Sequence, residues 1–127
     1  MYERAIEANP KYANNLGNYA KLLFVMSDYN KGIELLEKAE SDKELHSDLA
    51  VELAFYRYAH VSPYDLKPLK KLLLNGDRSI DWDLSNNVEK AMEDKHPDSD
   101  MIATIANVIS GKEPIETLNK FLKWNEE

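Results

Sequence analysis

Apolar residues recur at three- and four-residue spacing along this whole chain, and two-residue alternation is nearly absent. That spacing places apolar side chains on one face of an α-helix, whereas a half-buried strand alternates apolar and polar residues. With 127 residues, the chain lies in the size range of one domain. The sequence therefore predicts a single all-α domain over residues 1–127.

Capping residues divide the first half of this pattern into helices. Residues 12–26 predict one helix, and Ser27 or Asp28 can cap a second helix that forms a hairpin with it. Residues 47–60 are apolar on more than one face. A helix of that kind is covered by neighbours on several sides, so we expect this one to be central.

Prolines and glycines mark the later helix ends. Ser62-Pro63 predicts the start of a helix that Asn75-Gly76 ends. Asp81, Asp83 or Ser85 can cap the helix that follows. The remaining signals are Asp98 as the cap of a helix ended by Gly111, and Pro114 at the start of a last segment. About eight helices are expected, including one over the first ten residues.

The sequence also repeats. A shift of 34 residues aligns Ala5 with Ala39 and Leu73, and Ala20 with Ala54. Within residues 13–44, small and large apolar positions follow the order Leu16, Tyr19, Ala20 and Leu23, then Gly32, Leu36 and Ala39. This pattern and its period resemble the tetratricopeptide repeat, a pair of antiparallel helices.

The resemblance implies a right-handed superhelix of stacked helix pairs, in which the first helix of each pair lines a concave groove. It implies a protein–protein interaction module that holds an extended peptide or a partner helix in that groove. Asn18 would bind the partner backbone, and Phe55 and Tyr58 would supply apolar contacts. The predicted partner-binding residues are Asn14, Asn18, Lys21, Val25, Asp48, Glu52, Phe55 and Tyr58.

The chain departs from the family pattern in places. Glu44 stands where the repeat usually ends in proline, and Arg57 stands where an inter-helix contact is expected. The resemblance therefore covers residues 1–76, and residues 77–127 are predicted to be a degenerate or capping helical unit. The first residues resemble the second helix of a repeat, which fits a terminal cap or a piece of a longer array.

Composition argues against several partners and compartments. The net charge of −7 opposes binding to nucleic acid and to anionic membranes. The longest apolar run, Leu22 to Met26, is far shorter than the roughly 20 residues that span a bilayer. The chain has no cysteine and no apolar leader segment, so a cytoplasmic protein is expected.

No pattern of catalytic or metal-binding residues is evident in the sequence. The histidines His46, His60 and His96 are far apart, and none has a partner at helical ligand spacing. The segment that starts at Asp81 begins like a calcium loop, but it has Asn86 where glycine is required. We therefore expect no enzyme activity, no metal and no cofactor.

Two alternatives to peptide binding remain open at this point. Apolar surface on the incomplete first helix could pair with a second copy and make the protein a homodimeric assembly element. The chain could also be a regulatory fragment of a longer protein. The residues alone do not choose between these roles and a peptide-binding groove.

Overall fold

The computed structural model describes residues 13–41 and 47–125, with side chains from Leu16 onward. The described residues contain helices and no strands, so the all-α prediction is confirmed. The elements are α1 (Ala13–Val25), α2 (Tyr29–Glu40), α3 (Ser47–His60), α4 (Lys67–Leu74), α5 (Ser85–Glu93), α6 (Ser99–Ser110), a 3₁₀ helix (Ile115–Lys120) and α7 (Leu122–Asn125). The predicted first helix and the Glu44 position lie outside the described residues.

The α1–α2 hairpin closes through small residues. A Cβ atom added at Gly32 would lie 2.9 Å from a ring carbon of Phe24. The two helices are therefore too close at this point for a residue with a Cβ atom unless the ring moves. Ala20 and Ala39 are also fully buried. Because close packing leaves no room for larger side chains, these small residues determine how near the helices approach.

Helix α3 is the central helix, as predicted. It contacts α1, α2, α4 and α5, and it buries side chains around most of its circumference. Against α1, a Cβ atom added at Gly17 would lie 3.0 Å from a methyl group of Leu53. Arg57 does make an inter-helix contact, but as an ion pair: its guanidinium donates to both Glu40 carboxylate oxygens, at 2.8 and 2.6 Å.

Helix α4 begins later than Ser62-Pro63 predicted. It starts at Lys67, whose backbone N–H donates to the Asp65 carboxylate at 3.1 Å, and Pro68 is the proline in its first turn. Before the helix, the Tyr64 ring packs 4.0 Å from the His96 ring. The intervening residues therefore form a connection that packs on the C-terminal part of the chain.

Helices α5 and α6 form a second hairpin with the predicted boundary signals. Asp83 accepts hydrogen bonds from the Ser85 backbone and hydroxyl at the start of α5. Gly111 ends α6 with φ of +87°, a left-handed conformation that glycine adopts without strain. Asp98 precedes α6, but its carboxylate accepts from the Tyr58 hydroxyl instead of capping the helix.

The two hairpins pack more closely than an extended array allows. Repeats in a solenoid contact only their nearest neighbours. Here α5, the first helix of the third predicted pair, contacts both α3 and α1. Helices α1, α3 and α5 therefore all contact one another, and the superhelix implied by the resemblance stays a prediction. Within residues 13–41 and 47–125, no helix is long and apolar enough to cross a membrane.

Candidate functional site

The α1 side of the predicted groove is partly covered. Asn18, Lys21 and Val25 are half-buried. The Lys21 ammonium donates to the Asp83 carbonyl at 2.6 Å and lies 4.7 Å from the centre of the Trp82 ring. Burial lowers the Lys21 pKa. The segment before α5 thus occupies space that the repeat register leaves open to a partner.

The α3 side of the predicted groove is not a surface. Phe55 and Tyr58 have no accessible side-chain area, and Glu52 is also buried. The expectation that these three residues contact a partner is wrong for this conformation. The register assumed that one face of α3 stays open, whereas the Tyr58 hydroxyl donates to Asp98 and its ring contacts His96, so the start of α6 covers α3 there.

The other two predicted residues lie at helix starts. Asp48 is exposed in the first turn of α3, where a carboxylate interacts favourably with the helix dipole. Asn14 lies in α1, and its side chain is outside the described part of the chain. The predicted partner-binding residues therefore do not form one accessible site.

Polar side chains on α3 instead hold the segment from Ser79 to Asn87. Three hydrogen bonds make this connection: Ser79 hydroxyl to Glu52 carboxylate at 2.7 Å, Trp82 Nε1–H to Tyr56 hydroxyl at 2.9 Å, and Asn87 amide to His60 Nε2 at 3.0 Å. Buried polar groups need partners with defined geometry. These bonds therefore fix the position of α5 on α3.

Burial shifts the pKa values of the ionisable side chains in this interface so that their uncharged forms are favoured. It raises the Glu52 pKa and lowers the His60 pKa to about 4. His60 stacks on Phe24 with ring centroids 4.9 Å apart. His60 Nδ1 and Asn87 Oδ1 are buried without a hydrogen-bond partner among the described residues. A proton on His60 would add a buried charge here.

A second buried histidine connects α3 to the start of α6. The Asp98 backbone N–H donates to His96 Nδ1 at 2.9 Å, so that nitrogen is the acceptor. His96 Nε2 therefore carries the proton and donates to the Tyr58 carbonyl at 3.0 Å. Burial lowers the His96 pKa. His60 and His96 are structural histidines, and His46 lies outside the described residues.

A cluster of polar side chains connects the turn between α1 and α2 to the end of α5. The Lys90 ammonium donates to the Ser27 hydroxyl at 2.6 Å and pairs with Asp94 at 3.3 Å. The Tyr29 hydroxyl donates to the same Asp94 carboxylate. These contacts add hydrogen bonds and an ion pair at the solvent-exposed edge of the interface between α1 and α5.

A cleft lies open beside the α5–α6 hairpin. Its volume is about 290 Å³. We call it the α5–α6 cleft, and its lining includes Trp82, Val88, Glu89, Met92, Ala103, Ala106, Asn107, Ser110 and Lys112. Met92 is 46% exposed although it belongs to the apolar stripe of α5. The small residues of α6 leave room beside it.

The sequence contained a signal for this cleft. Leu84, Val88, Ala91 and Met92 form one apolar stripe, of which Ala91 is fully buried whereas Leu84, Val88 and Met92 line the cleft, and Met92 is the exposed member. On α6, Ala103 and Ala106 lie one turn apart and offer little apolar volume. When an apolar stripe is wider than one neighbouring helix can cover, its uncovered part indicates a second contact surface.

No group of three or more histidine and acidic side chains in the described part of the chain is placed to hold a metal ion. No protein-family model, curated protein or solved structure matches this chain.

Proposed function

We propose that this protein is a helical protein–protein interaction module, without catalytic activity of its own, that binds a partner helix in the α5–α6 cleft. The observation that carries the proposal is a cleft between two helices with an apolar floor and a polar rim, and with exposed Met92 on its border. Trp82, Leu84, Val88, Met92, Ala103 and Ala106 are its apolar lining, and Asp83, Ser85, Glu89, Asn107, Ser110 and Lys112 are its polar lining. Methionine adapts its shape to different apolar partners, and it is frequent in binding surfaces for helices.

The packing of α3 supplies an internal template for this binding mode. Helix α3 contacts both α1 and α2, so one helix lies across the α1–α2 hairpin. Gly17 allows a close approach there. In the α5–α6 cleft, Ala103 and Ala106 are similarly small. A partner helix in the cleft would cover the second hairpin as α3 covers the first.

Stacking of helix pairs is also the principle of the tetratricopeptide-repeat resemblance. Each repeat buries its apolar face only against a neighbour. Under this proposal the partner helix takes the place of a neighbouring repeat, and the concave groove has no role. The cleft border carries Glu89 and Lys112, so we expect the partner helix to have an apolar face flanked by charged residues.

A photo-crosslinking residue at position 92 tests this proposal directly. The matched control carries the same crosslinker at Met26, which follows α1, is 65% exposed and is not among the residues that line the cleft. Cell extract from the source organism provides the partners, and mass spectrometry identifies the crosslinked peptides. We expect position 92, but not position 26, to crosslink to amphipathic helical segments.

Quantitative binding then separates the cleft from other surfaces. Met92→Glu introduces a charge into the cleft and should weaken binding of the identified segment by about tenfold or more. Met26→Glu makes the same chemical change outside the cleft and should leave the affinity unchanged. Equal crosslinking at both positions would contradict the proposal. Crosslinks from position 92 to a second copy, with concentration-dependent mass, would favour the homodimeric alternative.

A further inference from the structure

Helix α4 differs in charge from the rest of the molecule. The chain has a net charge of −7, yet α4 contains Lys67, Lys70 and Lys71 and no acidic residue. The Lys70 ammonium donates to the Trp124 carbonyl and lies 5.4 Å from the centre of its ring. Lys67 and Lys71 are exposed, and neither forms a salt bridge with a residue that the structure describes.

The exposed side of α4 combines these two lysines with apolar groups. Leu69 and Leu73 are buried on the opposite side. Positions 67, 71 and 74 are one or two helical turns apart, so Lys67, Lys71 and Leu74 share one stripe. Leu74 is 63% exposed. We call this surface the α4 face, and its shallow depression is lined by Pro68, Lys71, Leu72, Leu74 and Asn75.

We propose that the α4 face is a second docking surface, which binds an acidic segment of a partner protein that also carries apolar side chains. The charges of Lys67 and Lys71 complement carboxylates, and Leu72 and Leu74 supply apolar contact. The face shares no residue with the α5–α6 cleft. Its role therefore does not depend on the function proposed for the cleft.

A narrow acidic peptide fits the charge distribution better than an anionic membrane. A membrane is wide enough to face many acidic side chains of a molecule with a net charge of −7, and it would repel them. A peptide can lie along the single α4 face. The partner class inferred from this face is therefore an acidic, apolar peptide segment.

Selection from a phage-displayed library of random dodecapeptides tests the inference. The intact protein is the bait, and selected peptides are synthesised with a fluorescent label for anisotropy titration. The test variant is the double substitution Lys67→Glu and Lys71→Glu. The matched control is Lys31→Glu and Lys38→Glu, which makes the same charge change at exposed positions of α2.

We expect selected peptides to be acidic and to contain large apolar residues. Their affinity should fall by about tenfold or more in the α4 double variant and stay unchanged in the α2 control. Leu74→Ser, which leaves both lysines in place, should weaken binding as well. Circular dichroism should show wild-type helicity for all variants, because the substituted side chains are exposed.

The opposite results overturn the inference. Selected peptides that show no excess of acidic residues would overturn it. Equal affinity of the peptides for the α4 double variant and for the wild type would also overturn it. Sedimentation with phosphatidylserine-containing vesicles, lost only in the α4 variant and without any acidic peptide binder, would assign the face to lipid instead. If the α4 double variant loses helicity, the Leu74→Ser result and the α2 control decide the outcome.

Discussion

The α1–α2 hairpin and the interface between α3 and α5 are both closed, but by different chemistry. In the hairpin, Gly32 and Ala39 let apolar side chains from the two helices pack directly. Between α3 and the segment before and within α5, buried hydrogen bonds such as Asn87 to His60 connect the helices. One interface depends on volume, and the other depends on the match of donors and acceptors.

This difference explains which parts of the molecule follow the repeat pattern. Apolar packing tolerates many sequences as long as volumes are kept, so it appears as a recurring pattern. A buried hydrogen bond needs two particular partners, and each bond in the α3–α5 interface uses a different pair. The pattern therefore fades where polar pairs determine the packing.

The largest expected effect is on the hairpin. Leu36→Ala removes a fully buried side chain of α2 and should lower the free energy of unfolding by about 2–5 kcal/mol. Chemical denaturation measures this value. The effect should be the same at pH 5 and pH 8, because the packing around Leu36 is apolar. A strong pH dependence of the difference between variant and wild type would contradict the comparison.

The α3–α5 interface should respond to pH because of His60. Its pKa is about 4 in the folded protein and 6.5 in the unfolded chain, so the unfolded state binds more protons as the pH falls below about 7. Stability is therefore lost from pH 7 toward pH 4. The His60 share of this loss should be about 2 kcal/mol at pH 5 relative to pH 8.

Unfolding of wild type and the His60→Leu, Asn87→Leu double variant at several pH values tests this share. The double substitution removes both members of the hydrogen-bonded pair. Neither residue then leaves a buried polar atom without its partner, which would itself lower stability. We expect a flatter pH dependence in the variant. Glu52 acts in the opposite direction, because its raised pKa favours stability at low pH, and it is present in both proteins. Equal pH profiles would exclude His60 as the source.

A smaller effect is expected at Trp82. Tyr56→Phe removes the acceptor for the Trp82 Nε1–H and keeps the aromatic volume. The lost hydrogen bond should lower the free energy of unfolding by about 1 kcal/mol. The chain has a second tryptophan, Trp124, so the fluorescence of Trp82 is compared in a Trp124→Phe background with and without the Tyr56 substitution. A variant as stable as the wild type, with an unchanged spectrum, would show that this bond does not hold the segment on α3.

The smallest effect is expected at the surface ion pair between α2 and α3. Arg57→Lys keeps the charge but loses the bidentate geometry toward Glu40. Because both side chains are partly exposed, the cost should be about 0.5 kcal/mol and should shrink at high salt. Lys38→Met, in the exposed pair with Glu34, serves as the comparison and should cost no more. A much larger loss at Arg57 would mean that polar contacts also dominate the packing of α3 on α2.

The candidate site was less predictable than the fold. Repeat register assigned Phe55 and Tyr58 to an open groove, but register describes each helix pair with its neighbour and contains no information on contacts between the first and third pairs. Both rings are buried, and the contacts of Tyr58 are with His96 and Asp98, about 40 residues further along the chain. The apolar stripe of α5 and the lysines of α4 are visible in the sequence, but they could be assigned to open surfaces only when the covered sides of α4, α5 and α6 were known.

Most of the helices, the central place of α3 and the close α1–α2 hairpin could be predicted from the amino-acid sequence. These follow from local periodicity, from turn residues such as Gly111 and from small residues at fixed spacing, most of which act between positions near in sequence. The binding of Trp82 and Asn87 to α3, and hence the choice of surfaces that stay open, emerged only from the packing of the helices. Those bonds join residues about 26 or 27 positions apart, and their specificity comes from burial, which exists only after the chain has folded.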